Sequence, residues 1–274
     1  MPPRCKNPNA PTPGDPGWLH YVEPYFGGGS VLLANDPEGI SEVANDKNQK
    51  LVNFWQVLRD PATFEQFRRY AEASPFGEPD FAESRDWLLR YGDAEGLQVP
   101  RAFNFFVLCR QSLAGRMDCL APLSKNRTRR GMNEQASGWL NAVEGLPAVH
   151  GRLKRIVILH GEALDVIRQQ DGPRTLFYLD PPYLHETRVE TAAYGEYEMT
   201  KEQHGELLAA LSIIKGQFLL SGYRSKVYDD CARLNGWICR EKQISNHASG
   251  QRIKPVKTEI VWMNYAPGLP VGAH

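Results

Sequence analysis

The stretch that decides the fold is Thr175-Leu-Phe-Tyr-Leu-Asp180-Pro181-Pro182-Tyr183, a short apolar run that ends in an acid, two prolines and an aromatic residue. Its first five residues carry almost no polarity, which is typical of a strand buried on both faces of a parallel sheet. Neither proline can donate a ladder hydrogen bond, and Pro181 restricts Asp180 to extended backbone. The strand therefore ends at Asp180, on the edge where open α/β sheets bind ligands.

The residues of this turn suit one reaction, the methylation of an exocyclic amine such as adenine N6. The lone pair of that nitrogen is delocalised into the ring, so two hydrogen-bond acceptors on its N–H groups would make it more nucleophilic. The Asp180 carboxylate and the Pro181 carbonyl, fixed in direction by Pro182, are candidate acceptors, and Tyr183 is a candidate stacking partner for the base. The alternative is a proline-rich turn that follows a strand for structural reasons alone.

Length and composition set the class of protein. The chain has 274 residues, enough for an α/β domain with a sizeable insert, and its formal net charge is zero. No apolar run reaches transmembrane length and no signal-peptide core is present, so we expect no membrane association. The cysteines lack the spacing of zinc sites, which predicts reduced thiols and no metal. Residues 1–18, rich in Pro, Asn and Gly, are predicted to form a flexible arm.

A second candidate ligand site begins at Tyr21-Val-Glu23-Pro24-Tyr-Phe26-Gly27-Gly28-Gly29-Ser30, where a short strand runs into an acid and three glycines. Glycines let the backbone approach a ligand closely and point N–H groups at it. The spacing is not that of the dinucleotide fingerprint, and a plain glycine turn is an equal alternative. The next predicted strand, 41–45, leads into Asp46, which could hold ribose hydroxyls or cap the following helix.

Between residues 60 and 150 the alternation of strands and helices fades, which predicts an insert with its own helices. Residues 101–155 carry ten Lys or Arg against three Asp or Glu, a local charge of 10 − 3 = +7. Such a segment suits nucleic-acid phosphates and base edges, and the alternative is a solvated surface loop. A polar loop at 184–199 is a candidate lid or DNA-facing loop. The candidate DNA contacts are Arg116, Lys125, Arg127, Arg129, Arg130 and, in that loop, Arg188.

The α/β pattern resumes with a strand at 156–159. Glu162 follows it, where an acid could reach a cofactor ring or favour the dipole of the next helix. A capping box at Thr200 begins a further helix. More strands are predicted at 216–220, 237–245 and 257–265. The prediction is a mostly parallel α/β sheet formed by 19–59 and 151–274, interrupted by a mainly helical insert at 60–150.

Several motifs together resemble those of a known family. Glu-Pro-Tyr-Phe-Gly-Gly-Gly-Ser, Asn-Asp-Lys-Asn with Asn-Phe-Trp, Asp-Pro-Pro-Tyr, Leu-Leu-Ser-Gly-Tyr and Thr-Glu-Ile-Val-Trp-Met-Asn-Tyr occur in this order. From about residue 19 to residue 266 the sequence is similar to the D12 class of adenine-specific DNA methyltransferases, the Dam-like family. The order resembles the alpha arrangement of that family, with the cofactor loop first, then the target recognition domain, then the catalytic motif.

The resemblance implies a class I S-adenosylmethionine-dependent methyltransferase sheet, which is Rossmann-like with one antiparallel strand near an edge. It implies S-adenosylmethionine as the methyl donor and double-stranded DNA as the substrate, with residues 60–150 as the target recognition domain. Asp180, Pro181, Pro182 and Tyr183 would surround an adenine flipped out of the duplex. The residues implied to lie near the cofactor are Glu23, Pro24, Phe26, Gly27 and Gly29 at the methionine part, Asp46 at the ribose and Glu162 at the adenine. Asp180 is also implied to contact the cofactor.

One family feature, an aromatic-x-Gly-Gly-Lys segment that helps to hold the cofactor, is not found in residues 1–17. The first alternative is therefore a catalytically weakened or inactive DNA-binding relative. Two others are the same chemistry on cytosine N4 or an RNA base, and an α/β enzyme for another nucleotide-type ligand. We further expect a cytoplasmic protein, bacterial or phage-encoded, that is a monomer, and a cognate restriction endonuclease is a candidate partner.

Overall fold

The computed structural model of the protein describes four stretches of the chain, residues 17–93, 98–184, 197–245 and 256–266. Three sequence predictions fall outside these stretches. They are the N-terminal arm up to residue 16, Arg188 with the polar loop from 185 to 196, and the connection between the last two strands.

A seven-stranded sheet forms the centre of the fold, and a separate two-stranded hairpin lies in the insert. The sheet order is β5-β2-β1-β6-β7-β9-β8, and all neighbours are parallel except that β9 runs antiparallel to both β7 and β8. The predicted mostly parallel α/β sheet, with one antiparallel strand near an edge, is confirmed. The strands are β1 (His20–Glu23), β2 (Ser41–Asp46), β3 (Thr128–Arg129), β4 (Met132–Asn133), β5 (Ile156–His160), β6 (Thr175–Leu179), β7 (Gln217–Gly222), β8 (Ile238–Ser245) and β9 (Val256–Met263).

Helices cover both faces of the sheet, because successive side chains of each strand point to opposite faces and most are apolar. On one face, Tyr21, Ala44 and Leu176 share a core with α1–α5, and on the other, Val22 and Phe177 share a core with α6–α8. No helix of the four described stretches is long and apolar enough to cross a membrane. The helices are α1 (Gln49–Arg59), α2 (Pro61–Ala73), α3 (Glu78–Tyr91), α4 (Val99–Gln111), α5 (Glu134–Leu153), α6 (Ala163–Gln170), α7 (Lys201–Leu211) and α8 (Lys226–Asn235).

The helix signals of the sequence have clear local causes. Asn48 caps α1 by accepting from two backbone N–H groups, and Asp60 caps α2 in the same way, with Pro61 at the first helical position. The capping box predicted at Thr200 is present, since its hydroxyl accepts from the N–H of Gln203 while the Gln203 side chain accepts from the N–H of Thr200.

The segment 60–150 is mainly helical and packs closely on the sheet. Phe67 of α2, Phe106 of α4 and Trp139 of α5 belong to the same core cluster as Ala44 and Leu176 of the sheet. Its division from the rest of the chain as a target recognition domain stays a prediction.

A buried ion pair ties the end of α5 to the sheet. The Arg152 guanidinium donates to both carboxylate oxygens of Glu42 in β2 and to the carbonyl oxygen of Leu32 at 2.9 Å. The Glu42 side chain is 1% exposed and that of Arg152 is 13% exposed, so the ion pair lies largely away from solvent. The pair fixes the point at which the chain returns from the insert to β5.

Candidate active site at the carboxyl edge of the sheet

The site lies at the carboxyl ends of the neighbouring parallel strands β1 and β6. After β1 the chain leads to β2 on one side of this pair, and after β6 it leads to β7 on the other side. β1 pairs with β2 on one side and with β6 on the other, in a register that places His20 opposite both Ser41 and Thr175. Glu23 therefore ends one strand beside the point where Asp180 follows the other. This is the topological switch point, where open α/β sheets form their ligand crevice.

The glycine loop after β1 is fixed by hydrogen bonds to the end of β2 and to α1. The N–H of Phe26 donates to the carbonyl of Asn45 at 2.8 Å, and the N–H of Gly27 donates to Asp46 Oδ2 at 2.9 Å. Trp55 Nε1 donates to the carbonyl of Gly27 at 3.1 Å. Gly29 has a φ of +67°, and a Cβ there would lie 2.6 Å from the Phe26 ring, so this position requires glycine.

Phe26 serves this loop as a core residue. Its ring is 4% exposed and lies 5.1 Å, centroid to centroid, from the ring of Trp55. The Phe26 ring thus supports the glycine turn from inside the protein. The group of this loop that can contact a ligand at the sheet edge is therefore its backbone and not the Phe26 ring.

Asn45 joins three strand ends, a role that the sequence did not predict. Its side-chain NH₂ group donates to the carbonyls of Pro24 and Gly161, both at 3.0 Å. Asn45 is 1% exposed, and its Oδ1 accepts no hydrogen bond from the described part of the chain. A buried acceptor of this kind calls for a donor, which a bound ligand can supply. The signal in the sequence was a polar pair, Asn45-Asp46, at the end of an apolar strand.

Asn48, and not Asp46, fills the helix-cap role that the sequence suggested for Asp46, and the ribose role of Asp46 stays a prediction. The Asp46 carboxylate accepts from Gly27 N–H in the glycine loop and from Asn48 N–H at 2.8 Å, just before α1 begins. Burial raises the pKa of Asp46 above its ordinary value, while these backbone donors act in the opposite direction. The carboxylate stands beside the loop with acceptor capacity left for a ligand.

Glu162 lies at the mouth of a cavity of about 240 Å³ at the ends of β2 and β5. Its side chain is largely exposed and pairs with Lys47 at 2.7 Å. Asn45 also lines this cavity, so the acceptor without a partner and the predicted Glu162 belong to one site. A larger cavity of about 470 Å³ lies in the insert, among residues of α4 and α5, and has no carboxylate in its lining.

The turn after β6 carries the most crowded polar cluster of the edge. The Tyr183 hydroxyl lies 2.9 Å from Asp180 Oδ1, 3.1 Å from Ser221 Oγ and 3.1 Å from Glu259 Oε1. Although Asp180 reaches solvent, desolvation by the surrounding protein raises the pKa of its carboxyl, and the charge of Glu259 adds to this. Burial also raises the pKa of the Tyr183 phenol, so this hydroxyl keeps its proton.

Aromatic rings flank this cluster. Tyr223, which follows β7, meets Tyr183 edge to face with the ring centroids 4.8 Å apart. Ser221, Tyr223 and Glu259 belong to motifs that resemble the family, but the sequence alone did not predict them as site residues. Ser221 and Tyr223 had a positional signal, since they lie at the end of β7, whereas Glu259 lies within β9.

Three of the predicted basic residues, Arg127, Arg129 and Arg130, lie on or next to the hairpin β3–β4. Arg130 and Gly131 form its two-residue turn with φ values of +55° and +73°, the conformation of a type I′ turn. The Arg130 guanidinium binds Glu144 through two hydrogen bonds and Asn141 through a third. Arg127 and Arg129 both pair with Glu134, at 3.0 and 3.2 Å, while Arg116 and Lys125 are exposed nearby in the chain.

A family model described as D12 class N6 adenine-specific DNA methyltransferase matches residues 13–246. The chain belongs to this family. A comparison with curated proteins gave no match.

Among solved structures, two of the rRNA methyltransferase aviRa from Streptomyces viridochromogenes are similar to this D12 methyltransferase at 15% identity, with TM-scores of 0.28 and 0.29. Each comparison covers 90% of this chain and 76% of the other. Both TM-scores are low, so neither structure bears on the substrate.

In this D12 methyltransferase, Glu23 is the most deeply buried acid of the edge. The Tyr21 hydroxyl donates to Glu23 Oε1 at 2.8 Å, and the residue is 2% exposed. Burial raises the pKa of Glu23 from the ordinary 4.5 to about 7, although the hydrogen bonds from Tyr21 and from the Leu32 N–H act against it. Near neutral pH this carboxyl is therefore poised between its two protonation states.

We expect Glu23→Gln to stabilise the D12 methyltransferase at pH 8 and not at pH 5. Ionisation of Glu23 costs stability that grows as the pH rises from about 4.5 to about 7 and stays constant above it. Removing that cost should stabilise the variant by about 3 kcal/mol at pH 8. About 1 kcal/mol of this gain should be lost, because the amide accepts one hydrogen bond fewer than the carboxylate. Urea unfolding should therefore give the variant an advantage of about 2 kcal/mol at pH 8. A difference that does not change with pH would contradict this assignment.

Proposed function

We propose that this protein transfers a methyl group from S-adenosylmethionine to N6 of an adenine flipped out of duplex DNA. The observation that carries the proposal is the meeting of the glycine loop and the Asp180–Tyr183 turn at the ends of adjacent parallel strands. The glycine loop can present backbone N–H groups and nearby carboxylates to a nucleotide-like ligand. The Asp180–Tyr183 turn can present hydrogen-bond acceptors and an aromatic ring to a base. Membership of the D12 family supports adenine in DNA as the substrate.

The residues at the sheet edge fit S-adenosylmethionine as the methyl donor. The buried Asn45 Oδ1 lacks a hydrogen-bond donor among the described residues, and Asn45 is one of the residues that line the cavity with Glu162. Asp46 has acceptor capacity for ribose hydroxyls, and Glu23 is a buried carboxyl suited to the positive charge of the methionine part. When bound, this cofactor supplies a methyl group activated by a sulfonium.

The chain's own residues position the base and raise the reactivity of its amine. The Asp180 carboxylate accepts one N6–H, and the Pro181 carbonyl, held by the rigid turn, accepts the other. Desolvation makes Asp180 a stronger acceptor than a carboxylate in water, and no cation among the described residues pairs with it. The rings of Tyr183 and Tyr223 lie beside this position, where they can hold the base in place.

The proposed substrate is duplex DNA. Base flipping takes the target base out of a double helix, and the exposed cations of the insert can contact the phosphates of that helix. Extrusion of a base costs a few kcal/mol, which contacts to the DNA backbone offset. The exposed Lys125, Arg127 and Arg129 lie on or next to the hairpin and are the proposed phosphate contacts. Arg116 and Arg188 remain candidate contacts, and Arg188 lies outside the described residues. Monomeric state, cytoplasmic location and a companion restriction endonuclease likewise stay predictions.

We expect Asp180→Ala to abolish methyl transfer and leave the fold intact, because Asp180 follows β6 and contributes nothing to the apolar core. Purified protein is incubated with unmethylated duplex DNA and S-adenosylmethionine, and the digested nucleosides are searched for N6-methyladenine by mass spectrometry. The matched control is Asp86→Ala, an exposed acid of α3 that should keep wild-type activity. Undiminished N6-methyladenine from Asp180→Ala would overturn the proposed mechanism.

The combined change Arg127→Ala and Arg129→Ala should weaken DNA binding and flatten its salt dependence. Each lost phosphate contact lowers the slope of log K against log salt by about 0.9, so the pair should lower it by up to about 2. Arg168→Ala is the control, since Arg168 is an exposed arginine of α6 that belongs to neither the insert nor the site. Fluorescence anisotropy over a salt series measures the slope. An unchanged slope in the double variant would place the DNA elsewhere.

A further inference from the structure

Glu259 enters the site from the antiparallel strand. β9 starts at the edge where β6 and β7 end, and Ser221 of β7 pairs with Val261, so Glu259 lies on the same face as Ser221. The alternate residues Ile260 and Trp262 are fully buried on the opposite face. Glu259 is therefore the residue through which β9 reaches the Asp180 turn.

The hydroxyl of Tyr183 stands between two carboxylates. It lies 2.9 Å from Asp180 Oδ1 and 3.1 Å from Glu259 Oε1, with Ser221 Oγ as a third neighbour at 3.1 Å. No ion pair joins either carboxylate to a cation of the described stretches. A hydroxyl has one proton, so Tyr183 can donate to only one of the two carboxylates at a time.

We propose that Glu259 is a positioning residue that accepts the hydrogen bond of Tyr183 when the target adenine enters, so that Asp180 is left to accept from N6. This inference rests on the proposed function. A carboxylate that already accepts a phenol proton is a weaker acceptor for a second donor. With Glu259 as the alternative acceptor, the Tyr183 ring stays anchored at the same time as Asp180 is released.

The account predicts that Glu259→Ala slows methyl transfer by about tenfold, because the Tyr183 hydroxyl then has Asp180 as its remaining carboxylate partner. KM for DNA should stay within about twofold of wild type, since Glu259 is not placed against the DNA backbone. Glu259→Gln keeps an acceptor oxygen for Tyr183 and should retain a rate within about threefold of wild type. If Glu259→Gln is as slow as Glu259→Ala, the hydrogen-bond role is wrong.

The decisive variant combines Glu259→Ala with Tyr183→Phe. Removing the hydroxyl frees Asp180 again, so the double variant should be faster than Glu259→Ala alone and close to Tyr183→Phe alone. Multiplication of the two single effects would overturn the proposal. Circular dichroism and thermal unfolding confirm that each variant is folded, and Glu206→Gln, an exposed acid of α7, is the control for loss of a charge.

A second readout separates this inference from the proposed function. Fluorotyrosine labelling gives one ¹⁹F resonance for each of the 11 tyrosines, and the resonance of Tyr183 is the one that Tyr183→Phe removes. Glu259→Ala should shift that resonance, and Glu206→Gln should not. Active wild-type protein with an unaffected Glu259→Ala variant refutes only the role of Glu259. Absence of N6-methyladenine from wild type refutes the proposed function, and an unshifted resonance then refutes the role of Glu259 as well.

Discussion

The pairing of β1 with both β2 and β6 is the constraint on which the rest of the site depends. Because all three strands are parallel, their carboxyl ends meet at one edge of the sheet, and Glu23, Asp46 and Asp180 lie at or just after these ends. The register is enforced from both faces, since Tyr21 and Leu176 point into one core while Val22 and Phe177 point into the other. A slip of one residue would exchange these faces and move every acid of the edge. The sheet therefore fixes where the site residues lie, and the glycine loop and the Asp180 turn fix only their local backbone conformation.

A second property of this edge of the sheet is that several of its carboxyl groups are desolvated by the surrounding protein. Glu23, Asp46 and Asp180 have pKa values raised chiefly by burial, and Glu259 adds its charge to the same cluster. Such groups destabilise the protein when they ionise, and sites of this kind are typical of ligand-binding centres. A cofactor that carries a positive charge relieves this cost. Under the proposed function, the same arrangement would favour the transition state of methyl transfer, in which positive charge moves toward the amine.

The sequence predicted most of the sheet because its strands are apolar runs that end at polar residues, as at Asp46 and Asp180. It predicted the capping box at Thr200 because that signal is entirely local. The hairpin β3–β4 escaped prediction because its type I′ turn uses Arg130-Gly131 in place of the common Asn-Gly, with bonds to Glu144 and Asn141 that no local pattern reveals. Asn45 and Glu259 were missed for a related reason. Their partners are distant in sequence, and only the sheet order brings them together.

Calorimetry tests the proposed binding of S-adenosylmethionine at this edge of the sheet without relying on catalysis. S-adenosylmethionine is titrated into the protein at pH 7 in buffers of different ionisation enthalpy. We expect saturable 1:1 binding that Asp46→Ala weakens. We also expect release of up to about half a proton, because the cationic ligand favours the ionised form of Glu23, whose pKa is about 7. Absence of binding to the folded protein, or binding that Asp46→Ala leaves unchanged, would contradict the account.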